Sequence, residues 1–222
     1  MAKQTILNKP LNVVCVLRQG GKVGYDASWV EKLMHGVQRN LTLPYQFTCL
    51  SDCDVPCNRI PLENTGAGFW SKLQLFRPGQ FTGPVLYIDL DAIVCQNIDE
   101  IVHRVQDQNF VMWLEPRTHV HSSAIMWWQG DHSHLWDLYK SQPESHWQQL
   151  HTEKHSYGDQ GFIADHVSHT VFQDHVPNAW FHLASKRDNE FDFSEVKILQ
   201  FIKTHTKPST LPDHPMVQQH WH

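Results

Sequence analysis

The 222-residue sequence has no apolar run near the roughly 20 residues that a membrane-crossing helix needs. Its greasiest stretches, 10-PLNVVCVL-17 and 84-PVLYIDLDAIV-94, are strand-sized. Positive charge is also in short supply. A net charge of −5 argues against a broad electrostatic grip on nucleic acid, although the 17 histidines add positive charge in mildly acidic conditions. The start, MAKQTILNKPLNVV, lacks the apolar core and cleavage site of a secretory signal. Cysteine is sparse and odd in number: Cys15, Cys49, Cys53, Cys57 and Cys95. With two of them inside strand-like runs, reduced thiols in the cytoplasm are expected. The even spacing of Cys49, Cys53 and Cys57 matches no usual zinc pattern, and the pairs His119/His121 and His132/His134 lack a local carboxylate or Cys partner. There is no P-loop, no dinucleotide fingerprint and no internal repeat. One domain over 1–222 is expected, with the proline-punctuated 203–222 as a tail or closing flap.

What remains is ordinary globular composition, 41% hydrophobic and 18% charged, carrying a readable alternation of elements. Strands are expected at 11–17, 45–50, 57–62, 85–94, 109–115, 122–128, 171–174 and 196–202. Helical spacing marks 27–40, through Trp29, Val30, Leu33, Met34 and Val37, and 69–76, through Phe69, Trp70, Leu73 and Phe76. Further helices are expected at 97–105, capped by Asn97, at 133–141, capped by Asp131, at 143–151, and after a loop at 158–167. The early strand–helix–strand order predicts an α/β fold with a mainly parallel central sheet flanked by helices.

The run 85-VLYIDLDAIV-94 breaks its own pattern. Uncompensated carboxylates are poorly tolerated in a buried strand, yet Asp89 and Asp91 interrupt this one. Ligands of open α/β sheets bind at the carboxyl ends of strands, where this pair falls, and residues two apart on a strand share a face. Two converging hard oxygens suit Mn²⁺ or Mg²⁺ with positions left for a diphosphate. The alternative is a turn cap and a surface pair.

In its surroundings the motif resembles the GT-A glycosyltransferases, and within them the glycogenin- and galactosyltransferase-like group called family eight. The likeness rests on 70-WSKLQLFRPGQFTGPVLYIDLD-91 and on 97-NIDEI-101 beyond it. It implies a Rossmann-like GT-A domain, with Asp89, Leu90 and Asp91 at a nucleotide-sugar donor and its metal. Lys72 would reach the donor from the preceding helix. The segment 122-SSAIMWW-128 resembles the family's N-S-G-V-M-L strand, placing Ser122 and Ser123 at the donor sugar, with Ser where the family has Asn and Ala124 where it has Gly. The segment 158-GDQGFIAD-165 resembles its D-Q block beneath the transferred sugar and implies catalytic roles for Asp159 and Gln160. Asp159 capping a helix is compatible with that role. The late Lys207-Pro208 matches the end of a His-x-Gly-x-x-Lys-Pro motif whose Gly is missing here, leaving His205 as the implied third metal ligand and Lys207 as a diphosphate ligand. The loop 16-VLRQGGKVGYD-26 supplies Val16, Arg18, Lys22 and Tyr25 for the base and ribose.

The resemblance implies a metal-dependent transfer, retaining at the anomeric carbon, from a nucleotide-sugar donor, UDP-sugars favoured. A glycan, lipid or protein hydroxyl would be the acceptor. Two other readings stand beside it. A binding protein of this fold that has lost turnover would explain the irregular late motif. A haloacid-dehalogenase-type phosphotransferase also carries D-x-D, but near the start of its domain, and the 88 residues before Asp89 have no role in it.

Overall fold

A computed structural model describes residues 9–20, 23–63, 68–142, 158–201 and 206–222. The first apolar run is β1 (Leu11–Leu17), buried almost throughout because both of its faces are covered. Asp26 caps α1 (Ala27–Asn40) by accepting from the Ser28 amide at 2.9 Å, and Trp29, Val30, Leu33 and Val37 form its buried stripe. β2 (Tyr45–Ser51) and β3 (Asn58–Pro61) add in parallel on one side of β1, and β4 (Val85–Ile88) pairs in parallel on the other. The chain continues through β5 (Ala92–Val94), α2 (Asp99–Val105), β6 (Phe110–Leu114), β7 (His121–Trp128), α3 (Ser133–Ser141) and α4 (Asp159–His166). It ends through β8 (Thr170–Val171), β9 (Phe181–Leu183), β10 (Ile198–Gln200) and α5 (Pro215–His220).

The main sheet has the order β3-β2-β1-β4-β7-β6-β8. Four of its six pairings are parallel, and β7 alone runs against its neighbours. Alternation along β1 sends Val13, Cys15 and Leu17 to the face covered by α1 and α2, and Val14 to the face covered by α3 and α4. The expected α/β layering with a mainly parallel sheet is therefore what the chain forms. The helix N-caps are Ile98 and His132 rather than Asn97 and Asp131, which sit one residue earlier and accept from the Asp99 and Ser133 amides at 3.0 and 2.9 Å. Among the described residues no helix is long and apolar enough to cross a membrane.

Several elements differ from expectation. Residues Gly68–Phe76 wind as a 3-10 helix rather than an α-helix. With a period near three, Trp70, Leu73 and Phe76 stack on one ridge inside the core, while Phe69 and Lys72 share another. Phe69, at the start of the segment, is 43% exposed instead of joining the buried face. The strand expected at 171–174 shrinks to Thr170–Val171 followed by a 3-10 turn, and that at 196–202 to Ile198–Gln200. The helix expected at 143–151 lies outside the described residues. A second, three-stranded sheet, β5-β10-β9, was not foreseen. It buries Ile93, Leu199 and Phe201 against Met216 and Val217 of α5, so 206–222 packs onto the body of the protein.

Candidate functional site

At the carboxyl end of β4 the chain leaves one sheet for the other. The Asp89 amide donates to the Ala124 carbonyl of β7 at 2.8 Å, and the Ala92 amide closes a turn on the Asp89 carbonyl at 3.1 Å before β5 starts. Asp89 and Asp91 thus sit at the hinge between two sheets, on the rim of a cavity of about 630 Å³. β7 reaches the same point through a bulge. Met112 of β6 partners Met126, but the next residue, Trp113, partners Ser122, leaving residues 123–125 as an excursion beside Asp89. Bulges re-aim side chains in this way, and here Ser122 and Ser123 line the cavity.

Lys72 ties these segments together. Its Nζ lies 3.0 Å from Asp89 Oδ1 and 3.2 Å from Asp159 Oδ2, and donates to Ser123 Oγ at 2.9 Å. Ser123 in turn donates to Asp159 Oδ2 at 2.6 Å. Burial pulls the Lys72 ammonium down, but Asp159 and Asp89 outweigh it and hold the group protonated above the ordinary lysine value. Burial likewise raises the Asp89 carboxyl, opposed by Lys72 and reinforced by Asp91. Asp89 also accepts from the Tyr87 hydroxyl.

Asp91 is buried and accepts three hydrogen bonds. Its Oδ2 accepts from the Tyr25 hydroxyl at 2.7 Å and from Lys207 Nζ, and its Oδ1 accepts from Gln200 Nε2 at 2.9 Å. Burial, then the Asp91 charge, pushes the Tyr25 phenol above its ordinary range, so it stays a donor. Asp159 opens α4, placing its carboxylate at a helix N-terminus, and Gln160 beside it lines the cavity. The residue before them has to be glycine. Gly158 has φ 65°, and a Cβ there would meet the Phe69 ring at 2.5 Å.

Of the residues anticipated from sequence, the cavity brings together Tyr25, Lys72, Asp89, Asp91, Ser122, Ser123, Asp159, Gln160 and Lys207. Three others lie elsewhere. Leu90 is on the opposite side of the chain from its two aspartates and packs in the core. Val16 packs against the other core cluster. Arg18 turns to Ser71 Oγ at 2.6 Å, the Glu63 carbonyl at 3.1 Å and Asp52 at 3.6 Å. Lys22 and His205 lie outside the described residues.

Among the lining residues that escaped sequence reading, two are polar side chains of note. Gln200 is 2% exposed, and an amide in the apolar run VKILQFI was its available signal. Glu115 ends β6 as Asp89 ends β4, but its carboxylate holds a turn, accepting from the Arg117 and Thr118 amides at 2.9 Å each.

The lining sets two lysines against four carboxylates, a formal balance of −2. That balance and the hard oxygens of Asp89 and Asp91 fit one Mn²⁺ or Mg²⁺ ion, the remaining ligands coming from water or phosphate. Among the described residues no three His, Cys, Asp or Glu side chains gather as ligands of one ion.

No described protein family matches the sequence, and no curated protein does. Solved structures match the fold. GlyE, a glycosyltransferase of Streptococcus pneumoniae TIGR4, superposes with a TM-score of 0.58 at 14% identity, over 90% of this chain and 56% of that one. WbbM, a bifunctional glycosyltransferase, gives 0.57 at 12% identity, over 97% and 52%. The galactosyltransferase LgtC, crystallised with donor and acceptor sugar analogues, gives 0.51 at 11% identity, over 89% and 88%. The chain thus spans little more than half the length of GlyE and WbbM. Its architecture is the mixed α/β fold of the GT-A glycosyltransferases.

Proposed function

We propose that this chain is a glycosyltransferase that transfers a sugar from a nucleotide-sugar donor, with UDP-sugars favoured, to a hydroxyl acceptor. The observation that carries the reading is the convergence on Lys72. Four segments distant in sequence, around residues 72, 89, 123 and 159, meet there within hydrogen-bonding distance in one cavity. Paired charge withdrawn from water at a cleft marks a functional-site candidate. The shared fold with LgtC, which accepts donor and acceptor analogues, supports the same reading.

Each residue then has a task. Asp89 and Asp91 would hold the divalent cation. Bound there, that ion would offset charge on the departing diphosphate. Lys207 would bind a phosphate oxygen as a point charge. Lys72, locked between two carboxylates and a serine, positions Asp89 and Asp159 beside the donor. Gln160 and Ser122, which line the cavity, would offer hydrogen bonds to the sugar hydroxyls. Asp159, negative and adjacent, favours positive charge developing at the anomeric carbon. Retention of configuration belongs to the proposal through the family-eight resemblance.

A thermal-unfolding panel of UDP- and GDP-sugars with Mn²⁺ tests the reading. A true donor present at about 100 times its Kd adds about 2.7 kcal/mol, which for a chain of this size raises Tm by roughly 5–10 °C. No shift with any nucleotide sugar removes the proposal. A shift without turnover in the presence of acceptors favours a binding protein of the same fold.

A further inference from the structure

Resting on the reading of Asp91 as part of the donor site, we propose that Trp221 is a positioning residue for that site, acting on Asp91 through Trp29 and Tyr25. The three rings stand in one file. The Trp221 indole meets the Trp29 indole edge to face, with centroids 4.9 Å apart at 69°. Trp29 meets the Tyr25 ring in the same way, at 4.8 Å and 77°. Tyr25 ends the file with its hydroxyl, which donates to Asp91 Oδ2 at 2.7 Å. Perpendicular contacts of this kind fix the angle of a ring as well as filling space, because the positive edge of one ring is drawn to the negative face of the next.

Each ring leans on its neighbour. Tyr25 is half-buried in the loop between β1 and α1, directly after Gly24 at φ 70°. A backbone bridge, the Gly20 amide donating to the Tyr25 carbonyl at 3.1 Å, holds its main chain but not its ring. Trp29, 4% exposed in the first turn of α1, supplies the wall for that ring. Behind Trp29 stands Trp221, itself fastened to α1. Lys32 lies three residues beyond Trp29 and so shares its face. Its ammonium sits 4.4 Å over the Trp221 ring and donates to the Trp221 carbonyl at 3.3 Å. Arg39 donates to the His220 carbonyl at 2.6 Å. The Trp221 Nε1–H is buried with no hydrogen-bond partner among the described residues. A buried indole ordinarily turns that group to an acceptor. This one forgoes the bond and keeps the angle that Trp29 and Lys32 set. A functional carboxylate has to be held within about 0.5 Å by side chains whose rotamers are locked by packing. The file from Trp221 to Tyr25 provides that lock for Asp91 from a part of the chain 130 residues away in sequence.

The test is a double-mutant cycle read by binding, since a merely structural tryptophan would lower stability without acting through the Tyr25 hydroxyl. Mn²⁺ with UDP, and with GDP in parallel, is titrated by calorimetry into wild type, W221A, Y25F and Y25F/W221A, at a temperature where thermal scans show each folded. W221A is expected to weaken nucleotide binding about fivefold. Y25F is expected to weaken it about tenfold, and the double variant no further than Y25F alone. W221F keeps an aromatic edge against Trp29 and should bind within about twofold of wild type. If W221A does not fold, W221L, which fills space without a ring edge, takes its place in the cycle. Unchanged affinity in W221A, or the same fold-loss from W221A with and without the Tyr25 hydroxyl, overturns the positioning role and leaves the transferase reading intact. Failure of wild type to bind either nucleotide overturns both.

Discussion

Two cavities of nearly equal size lie at opposite ends of the β4–β7 pair. One, of about 630 Å³, opens where β4 ends and β7 begins; the other, of about 580 Å³, opens where β4 begins and β7 ends. The second is walled by turn residues such as Pro78, Gly79, Gly83, Pro84 and Gly130, together with Trp128 and His132. Of its charged side chains, Lys9, Asp107 and Asp131 are exposed to solvent, while Arg77 is half-buried and pairs with the exposed Glu63 at 3.4 Å. In the first, Lys72, Asp91, Asp159 and Lys207 are all buried and pair with one another. Volume does not separate the two. What does is charge withdrawn from water and held by long-range contacts, an arrangement that costs stability unless its partners are complete. It is also the arrangement in which a few kcal/mol of electrostatics can act on a ligand.

The comparison is most easily broken at Lys72. Lys72→Met leaves the buried Asp159 and the half-buried Asp89 without their shared cation, and urea denaturation is expected to show a loss of about 3 kcal/mol. His132→Ala in the other cavity removes one hydrogen bond to the Gln129 carbonyl and an edge contact with Phe110. It should cost about 1 kcal/mol and leave nucleotide binding unchanged. Equal costs for the two changes would erase the distinction between the cavities.

Asp91→Asn keeps the shape but removes the charge. Turnover of the nucleotide sugar, or its hydrolysis without acceptor, is expected to fall by about 100-fold. Gly158→Ala sharpens the comparison from the backbone side. The added methyl must displace the Phe69 ring and adopt a positive φ, for an expected destabilisation of about 1–3 kcal/mol visible in the thermal transition.

The smallest effect belongs to a charge remote from both cavities. Asp99 accepts from the Thr42 amide at 2.8 Å and from its hydroxyl, fastening the end of α1 to α2. Partial burial raises its carboxyl, but the Thr42 hydrogen bonds outweigh that and leave it below the ordinary range. A depressed pKa means the contribution is present above the unfolded value, near pH 4, and disappears as pH falls through the folded value. Asp99→Ala should cost about 1 kcal/mol at pH 7, and the gap to wild type should close on acidification below about pH 4.

Much of this was legible because the charged site violates local pattern. Asp89 and Asp91 interrupt an apolar strand, and Asp159 opens a helix after a glycine, so each carries a signal within a few residues. Strand and helix positions were legible through their periods for the same reason. Strand direction was not, since SSAIMWW reads alike whether it runs with or against β4. The 3-10 winding of Gly68–Phe76 was hidden because tertiary burial, not helical periodicity, decides it. Gln200 and Tyr25 acquire meaning only through contacts 109 and 66 residues away, which no local pattern encodes. Leu90, Val16 and Arg18 were placed at the donor by the family resemblance, but the alternation of the chain and the Asp52 and Ser71 partners turn their side chains elsewhere.

Isothermal titration of UDP-sugar with Mn²⁺ into wild type, Asp91→Asn and His132→Ala tests the central claim most directly. Wild type and His132→Ala are expected to bind alike while Asp91→Asn loses binding. Retained binding in Asp91→Asn, or binding lost in His132→Ala, would place the ligand away from the charged cavity and contradict it.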